Sequence, residues 1–390
     1  MSKRLLAFLA ALALVPAGCN SSKTTPVRRA PQKVVVMGFD GMDPTLARAF
    51  MDQGKLPNLK RLSEAGAFSK LETTQPSESP VAWQSFITSV NPGKHGIFDF
   101  LRRDLQTYIP DPSMGVTREP PVFKWGFLPT KGPKVASTRG GIPFWRRAGE
   151  SGIRSAILTV PMTFPPEHVE HGSLLSGLPL PDLRGTLGFF SYWATDLSSF
   201  EEGSTEMGGF LSRLLFENGV AQTSLKGPDS PILKQEEAQL AAKRSAGTLS
   251  EAEKKRLQEL SGSGKETNIP FSVRWTEGSK QAEIEIQGTR LTLKQGEWSN
   301  WVPLTFRFNF LVKIKGMVQF HVIHADRELQ IYASPVNMDP RQPPIPISAP
   351  AEFSAALASQ VGLYRTLGWA EATWPLNEGR LDEADFLYDC

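Results

Sequence analysis

Two residues stand where their side chains could do chemistry. Asp40 closes the apolar run Val34-Val35-Val36-Met37-Gly38-Phe39 and is followed by Gly41. A short continuous run of this kind reads as a buried parallel strand. Open α/β sheets bind their ligands at the carboxyl ends of such strands. A carboxylate there suits a divalent metal, although Asp-Gly after a strand is also an ordinary turn. Ser79 precedes Pro80 and is expected to N-cap a helix. Free N–H groups and the positive end of the helix dipole converge at that point, stabilising a phosphate dianion and favouring an alkoxide nucleophile. A Ser-Pro helix start is equally a routine cap, and spacing alone leaves both readings open.

The elements that must position these residues follow from punctuation and periodicity. Asp43-Pro44 starts a helix with Leu46, Ala47 and Phe50 on one face and Gly54 at its end. A second helix runs from Pro57 to Gly66. A third starts at Ser79, turns Trp83, Phe86 and Ile87 inward, and stops at Asn91-Pro92-Gly93. A helix over 144–149 and a buried strand over 155–160 continue the alternation, which argues for a doubly wound α/β domain. Beyond residue 200 the character changes. Residues 233–262 are charge-rich, with a capping-box pattern from Ser250 to Glu253. From 271 to 333 the apolar period becomes two, which predicts antiparallel hairpins in which Phe306, Phe308 and Phe310 form one buried face. A Pro-rich stretch from Pro340 to Pro350 leads to a helix over 353–367. The fold class is α/β: a sheet flanked by helices, with a β-rich antiparallel insertion.

Composition sets the outer limits. The chain has 390 residues, 40% apolar and 21% charged, as expected of a globular protein. Its 43 Lys+Arg against 40 Asp+Glu give a net charge of +3, which excludes nucleic-acid binding by bulk charge. Cys19 and Cys390 are too few for a disulfide framework or a thiolate zinc cluster. Lys3 and Arg4 precede an apolar stretch over 5–15, then Pro16-Ala17-Gly18-Cys19, the layout of a secretory signal. The cysteine after Ala-Gly resembles a bacterial lipobox, although Pro16 stands where such motifs usually carry Leu. That resemblance implies lipidation of Cys19 and a bacterial lipoprotein anchored to the membrane, facing the periplasm or the cell exterior. Plain secretion with cleavage near Ala17 or Gly18 is the other reading. The expected organisation is a signal peptide over 1–18, a tether over 19–32 and the first part of the α/β domain over 33–200. A helical polar connector follows over 201–270, then the β-rich insertion over 271–345 and a return to the α/β domain over 346–390.

Four short motifs occur in order between Lys33 and Asp99: Val35-Val36-Met37-Gly38-Phe39-Asp40-Gly41-Met42, Leu56-Pro57-Asn58-Leu59-Lys60-Arg61-Leu62 with Gly66, Gln75-Pro76-Ser77-Glu78-Ser79-Pro80, and Asn91-Pro92-Gly93-Lys94-His95-Gly96-Ile97. Together they resemble the N-terminal part of the alkaline phosphatase superfamily, in its type I phosphodiesterase/nucleotide pyrophosphatase branch. The insertion and the segment 165–177 are similar to bacterial members described as predicted phosphohydrolases or phosphomutases. The resemblance implies a phosphate-ester substrate and two zinc ions, one of them ligated by Asp40. Ser79 is then both a metal ligand and the nucleophile of two in-line displacements through a phosphorylated or phosphodiester enzyme. No Cys/Ser-x-Pro-x-Arg motif surrounds Ser79, which disfavours a sulfatase. The Asn usual after His-Gly-Ile is replaced by Phe98-Asp99-Phe100, leaving Arg102 or Arg103 as candidate substitutes.

The remaining metal ligands implied by the resemblance, an Asp-x-x-x-His, a later Asp-His and a last His, do not occur in this sequence. Its histidines are His95, His168, His171, His321 and His324. His95 belongs to a structural turn, His168 and His171 to a proline-flanked loop, and the odd spacing of His321 and His324 sends them to opposite strand faces. The resemblance therefore implies a C-terminally truncated chain, inactive alone and holding no metal stably. Its missing half would be lost or carried by a separate chain. The alternative is a non-catalytic exported binding protein derived from the phosphohydrolase fold.

Overall fold

The computed structural model describes residues 32–113, 116–125, 128–137, 139–198, 201–206 and 208–389. The expected signal peptide, Cys19, all but the last residue of the tether, and Cys390 lie outside these residues.

The N-terminal part is a set of short helices around a small core. Helix α1 (Pro44–Asp52) begins where Asp43 Oδ1 accepts the N–H groups of Thr45 and Leu46 at 2.8 and 2.7 Å, with Pro44 at the first helical position. It buries Ala47 and Met51, whereas α2 (Pro57–Ala65) buries nothing. Helix α3 (Ser79–Thr88) inserts Val81, Gln84 and Ile87, and α4 (Pro92–His95) buries His95. Helix α5 (Phe144–Glu150) contributes the fully buried Trp145. Val81, Ile87, Ile97, Trp145, Ile157 and Leu174 pack together as one cluster.

The segment 34–39 departs from expectation. It forms no strand, and Val34 and Val35 are each 82% exposed. A central parallel strand needs ladder partners at its edges and helices over both faces. Among the described residues no strand pairs with this segment.

The sheets are mixed rather than doubly wound. Ala156–Leu158 runs parallel to Ser173–Leu175, which pairs antiparallel with Ser348–Ala349. Ala156–Leu158 is an edge strand with Leu158 half exposed, so the buried strand expected over 155–160 is open on one side. A six-stranded sheet holds, in order, Gly203–Ser204, Gly209–Arg213, Phe190–Ala194, Leu329–Ala333, Phe320–Ala325 and Glu297–Trp298. Only Phe190–Ala194 and Gly209–Arg213 are parallel within it. A five-stranded antiparallel sheet runs through Phe216–Glu217, Val220–Asp229, Glu266–Arg274, Gln281–Ile286 and Thr289–Lys294. Val302–Arg307, Lys313–Val318 and Asn337–Met338 form a further three-stranded sheet.

Two expectations change as a result. The β-rich stretch is not a separate insert, because Tyr332 pairs with Tyr192 across the six-stranded sheet and a single core extends from Phe164 to Ile347. Residues 201–270 are helical only from 231 onward, because Ala221 and Leu225 point inward and hold Val220–Asp229 in a sheet. There α6 (Pro231–Ser245) and α7 (Glu251–Ser261) pair as a charged hairpin. Ser250 and Glu253 close the capping box reciprocally. The inward alternation of Val273, Ile284, Ile286, Phe306 and Phe320 is present, but Phe308 and Phe310 sit in the Val302–Arg307/Lys313–Val318 connection, Phe310 83% exposed. A tight turn breaks the period of two there: Asn309 Oδ1 accepts the N–H groups of Leu311 and Val312.

Three helices complete the chain: α8 (Phe353–Val361), α9 (Thr373–Asn377) and α10 (Glu383–Asp389). Asp385 of α10 lies 3.0 Å from Nε2 of the buried His321, and the ring of Trp298 stacks on His321 and on Tyr388. Among the described residues, no helix is long and apolar enough to cross a membrane.

Candidate active site

Ser79 is the first residue of α3 and Glu78 occupies the N-cap, so the expected N-cap role is corrected by one position. The reason is local. Glu78 has extended backbone geometry, its carbonyl accepts the N–H groups of Val81 and Ala82, and no side chain caps the helix. The Ser79 hydroxyl makes no hydrogen bond among the described residues and is partly exposed. It lies in the first turn of a ten-residue helix, where the partial positive charge of the dipole is concentrated.

Asp40 is exposed, in the turn that Gly41 makes at φ 64°. A contact two residues earlier ties its segment to α3. A Cβ placed on Gly38 would lie 2.3 Å from the ring of Trp83, so any larger residue there must displace that ring. Ser79 and Trp83 are four residues apart and share a helix face. The contact ties the segment of Asp40 to α3 at Trp83, one turn along the helix from Ser79.

The base of α3 is fixed by residues whose roles the sequence did not reveal. His95 Nδ1 accepts the Ile97 N–H at 3.2 Å, so its proton is on Nε2 and is donated to Ser85 Oγ at 2.9 Å. This tautomer cannot accept the Ser85 proton, so the pair is a clamp and not a nucleophile with its base. Burial lowers the His95 pKa, keeping the ring neutral. Gln84 donates to the Gly140 carbonyl at 2.8 Å, and a Cβ on Gly140 would meet the His95 backbone. A serine and a histidine ten residues apart, on either side of a helix end, were the only available signal.

The other candidates are occupied elsewhere. Arg102 is bonded to Asp111 at 2.9 and 2.7 Å, and Arg103 lies over the Tyr108 ring at 5.8 Å. His321 is buried and His324 exposed, but the expected opposite faces are corrected: a bulge between Val322 and His324 sets them against Tyr332 and Gln330, which share one face of their strand. His171 Nε2 approaches only Glu170, at 3.6 Å. Zinc takes about four ligands, and a two-metal centre needs more. Among the described residues no group of three or more His, Cys, Asp or Glu is placed to hold a metal. Asp40 supplies one carboxylate and Ser79 one neutral hydroxyl, a donor set that does not fit a two-zinc centre.

Residues 34–227 match the family model of type I phosphodiesterase / nucleotide pyrophosphatase. The match includes Asp40, Ser79 and His95 and ends inside Val220–Asp229, just under half of the chain. It supports the alkaline phosphatase superfamily, with which the mixed α/β architecture is consistent, and suggests phosphoric ester hydrolysis in a family that is typically metal-dependent. No curated protein and no solved structure matches the chain.

Proposed function

We propose that this chain carries the nucleophile-bearing part of a phosphoric ester hydrolase, with Ser79 as nucleophile and Asp40 as a carboxylate beside it. The observation that carries the reading is the unbonded Ser79 hydroxyl in the uncapped first turn of α3, on the helix that the segment of Asp40 meets at Trp83, and inside the family match. In this reading the phosphoryl group sits at the helix N-terminus, where N–H groups and the dipole stabilise its charge. Ser79 Oγ then attacks phosphorus in line as the ester P–O bond opposite it breaks, the alcohol leaving and the Ser79 proton passing to solvent. A divalent metal would supply activation of the hydroxyl in this family, but the donor set among the described residues does not complete its site. His95 cannot replace it as a base, because its protonated nitrogen faces Ser85. The isolated chain is therefore proposed to be inactive, its turnover close to background.

The test is release of p-nitrophenol from the mono- and bis-p-nitrophenyl phosphates, with and without added zinc, by the chain and by Ser79→Ala. The expected result is background rates for both proteins with both substrates. Zinc-stimulated turnover lost in Ser79→Ala would establish the nucleophile and overturn the incompleteness. Turnover that survives Ser79→Ala would overturn the nucleophile itself.

We also propose export and anchoring through lipidated Cys19, supported by the basic and then apolar pattern of residues 3–19. Radiolabelled palmitate incorporated in a bacterial host should disappear with Cys19→Ser. Unchanged labelling would refute the anchor.

A further inference from the structure

A cleft of about 680 Å³ opens at the carboxyl ends of the parallel strands Ala156–Leu158 and Ser173–Leu175. Neither Asp40 nor Ser79 lines it. Its volume falls within the roughly 300–1,000 Å³ usual for small-molecule sites, and its position is where α/β sheets place their ligands.

The floor is main chain. A Cβ on Gly177 would lie 2.3 Å from the Thr159 carbonyl oxygen, and one on Gly368 would lie 2.6 Å from the Leu178 nitrogen. Thr159 holds φ at 52°, a left-handed conformation that a β-branched residue seldom adopts. These close approaches pack main chain on main chain beside the cleft and leave no room there for a side chain. The walls are aromatic: Trp298, Trp301, Tyr364, Trp369 and Tyr388. Trp301 stacks on no other ring among the described residues. Tyr388 is 63% exposed and has one face on Trp298, at 5.3 Å between centroids. The indole N–H of Trp369 is buried without a hydrogen-bond partner among the described residues, an unfavourable state unless something else accepts the proton. Gln319 donates its Nε2 to the Ser299 carbonyl at 3.0 Å, which leaves its carbonyl oxygen facing outward from that bond.

We propose that this cleft binds the pyranose rings of a neutral oligosaccharide. A pyranose offers an apolar C–H face that lies flat on an indole or phenol ring. Its hydroxyls serve the edges of amides and peptide groups. The lining contains no carboxylate, so nothing in it recognises a cation, and its one charged side chain, Arg365, has an interaction of its own. Peptide groups interrupt its apolar surface, so it is poorly suited to a lipid chain. The outer wall depends on α10, where Asp385 bonds to His321 and Tyr388 stacks on Trp298. The proposal does not rest on the phosphoric ester reading, and the two can fail separately.

The experiment is titration of the tryptophan fluorescence of the full chain with chitotriose, cellotriose and maltotriose, and in parallel with AMP. The expected result is saturable binding of at least one trisaccharide in the millimolar range or tighter. Trp301→Ala should weaken it at least tenfold, and Trp125→Ala, on a separate exposed turn, should leave it unchanged. Circular dichroism would confirm that each variant is folded, and Trp301→Phe, which keeps a ring, should restore part of the affinity if Trp301→Ala alone proves unstable. No saturable binding of any trisaccharide would overturn the proposal. So would binding that is indifferent to both Trp301 variants, or binding of AMP tighter than that of every sugar.

Discussion

The two halves of the molecule differ in what holds them. In the β-rich half, Trp193 is fully buried, with its ring edge-on to Phe271 at 5.0 Å and 6.4 Å from Phe320, inside a core that runs from Phe164 to Ile347. In the N-terminal part, the apolar run before Asp40 lies in solvent and α2 buries no residue. The residues with a chemical reading, Asp40 and Ser79, belong to the thinly packed half. The densely packed half holds no residue of the candidate active site. Stability and the proposed chemistry are thus separable, so substitutions in one half should leave the other largely unaffected.

The strongest test of that comparison is Trp193→Ala. Removing a fully buried indole typically costs about 3–5 kcal/mol, from lost transfer energy and from the cavity left behind. Chemical denaturation should show a loss of this size in the transition of the β-rich half. A loss below about 1 kcal/mol would mean that this core is looser than its contacts indicate. The next largest effect belongs to the α6–α7 hairpin. Ser250→Ala removes one half of the capping box and should cost about 1 kcal/mol, read as earlier melting of that hairpin by hydrogen exchange.

A smaller, local effect follows from His95. Its folded-state pKa lies below the ordinary value of 6.5 because burial disfavours the charged ring. The neutral ring therefore stabilises the α3–α4 junction above about pH 6.5, and the contribution is lost as the pH falls through the lowered folded value. Protonation also removes the Nδ1 lone pair that accepts the Ile97 N–H. The protection of the Ile97 amide, its exchange rate relative to the intrinsic rate at each pH, should fall below pH 6.5 in the wild type, and His95→Gln should lack that pH step. An identical profile in both proteins would remove His95 from the clamp.

What was legible in the sequence was mostly local. The Asp43 cap, the proline at the start of α1 and the Ser250–Glu253 box rest on residues within three positions of one another, and all three are present. Sheet membership was not legible. Tyr192 and Tyr332 pair although they stand 140 positions apart, so nothing in the alternation of 329–333 indicated that it would join 190–194. Phe308 and Phe310 continued a pattern in sequence that a turn ends in space. At the candidate site, Asp40 and Ser79 were found through ordered motifs. The Gly38–Trp83 approach and the His95 tautomer depend on side-chain positions that spacing does not encode.

The smallest expected effect is the most informative about the thinly packed half. Val35 is 82% exposed and has no ladder partner among the described residues, so Val35→Asp should change stability by no more than about 0.5 kcal/mol. A continuous run of valines in solvent is unusual, because such runs belong to strands buried on both faces. It also presents an extended edge on which another strand could form. If Val35→Asp instead costs several kcal/mol, or changes the apparent mass in solution, the segment is buried against a strand, from this chain or another. Asp40 would then be held at the end of a paired strand and the comparison between the halves would collapse. If the substitution is silent, Asp40 is carried by a segment tied to α3 chiefly through the Gly38–Trp83 contact, and enlarging Gly38 should disturb the candidate site more than any change in the apolar run.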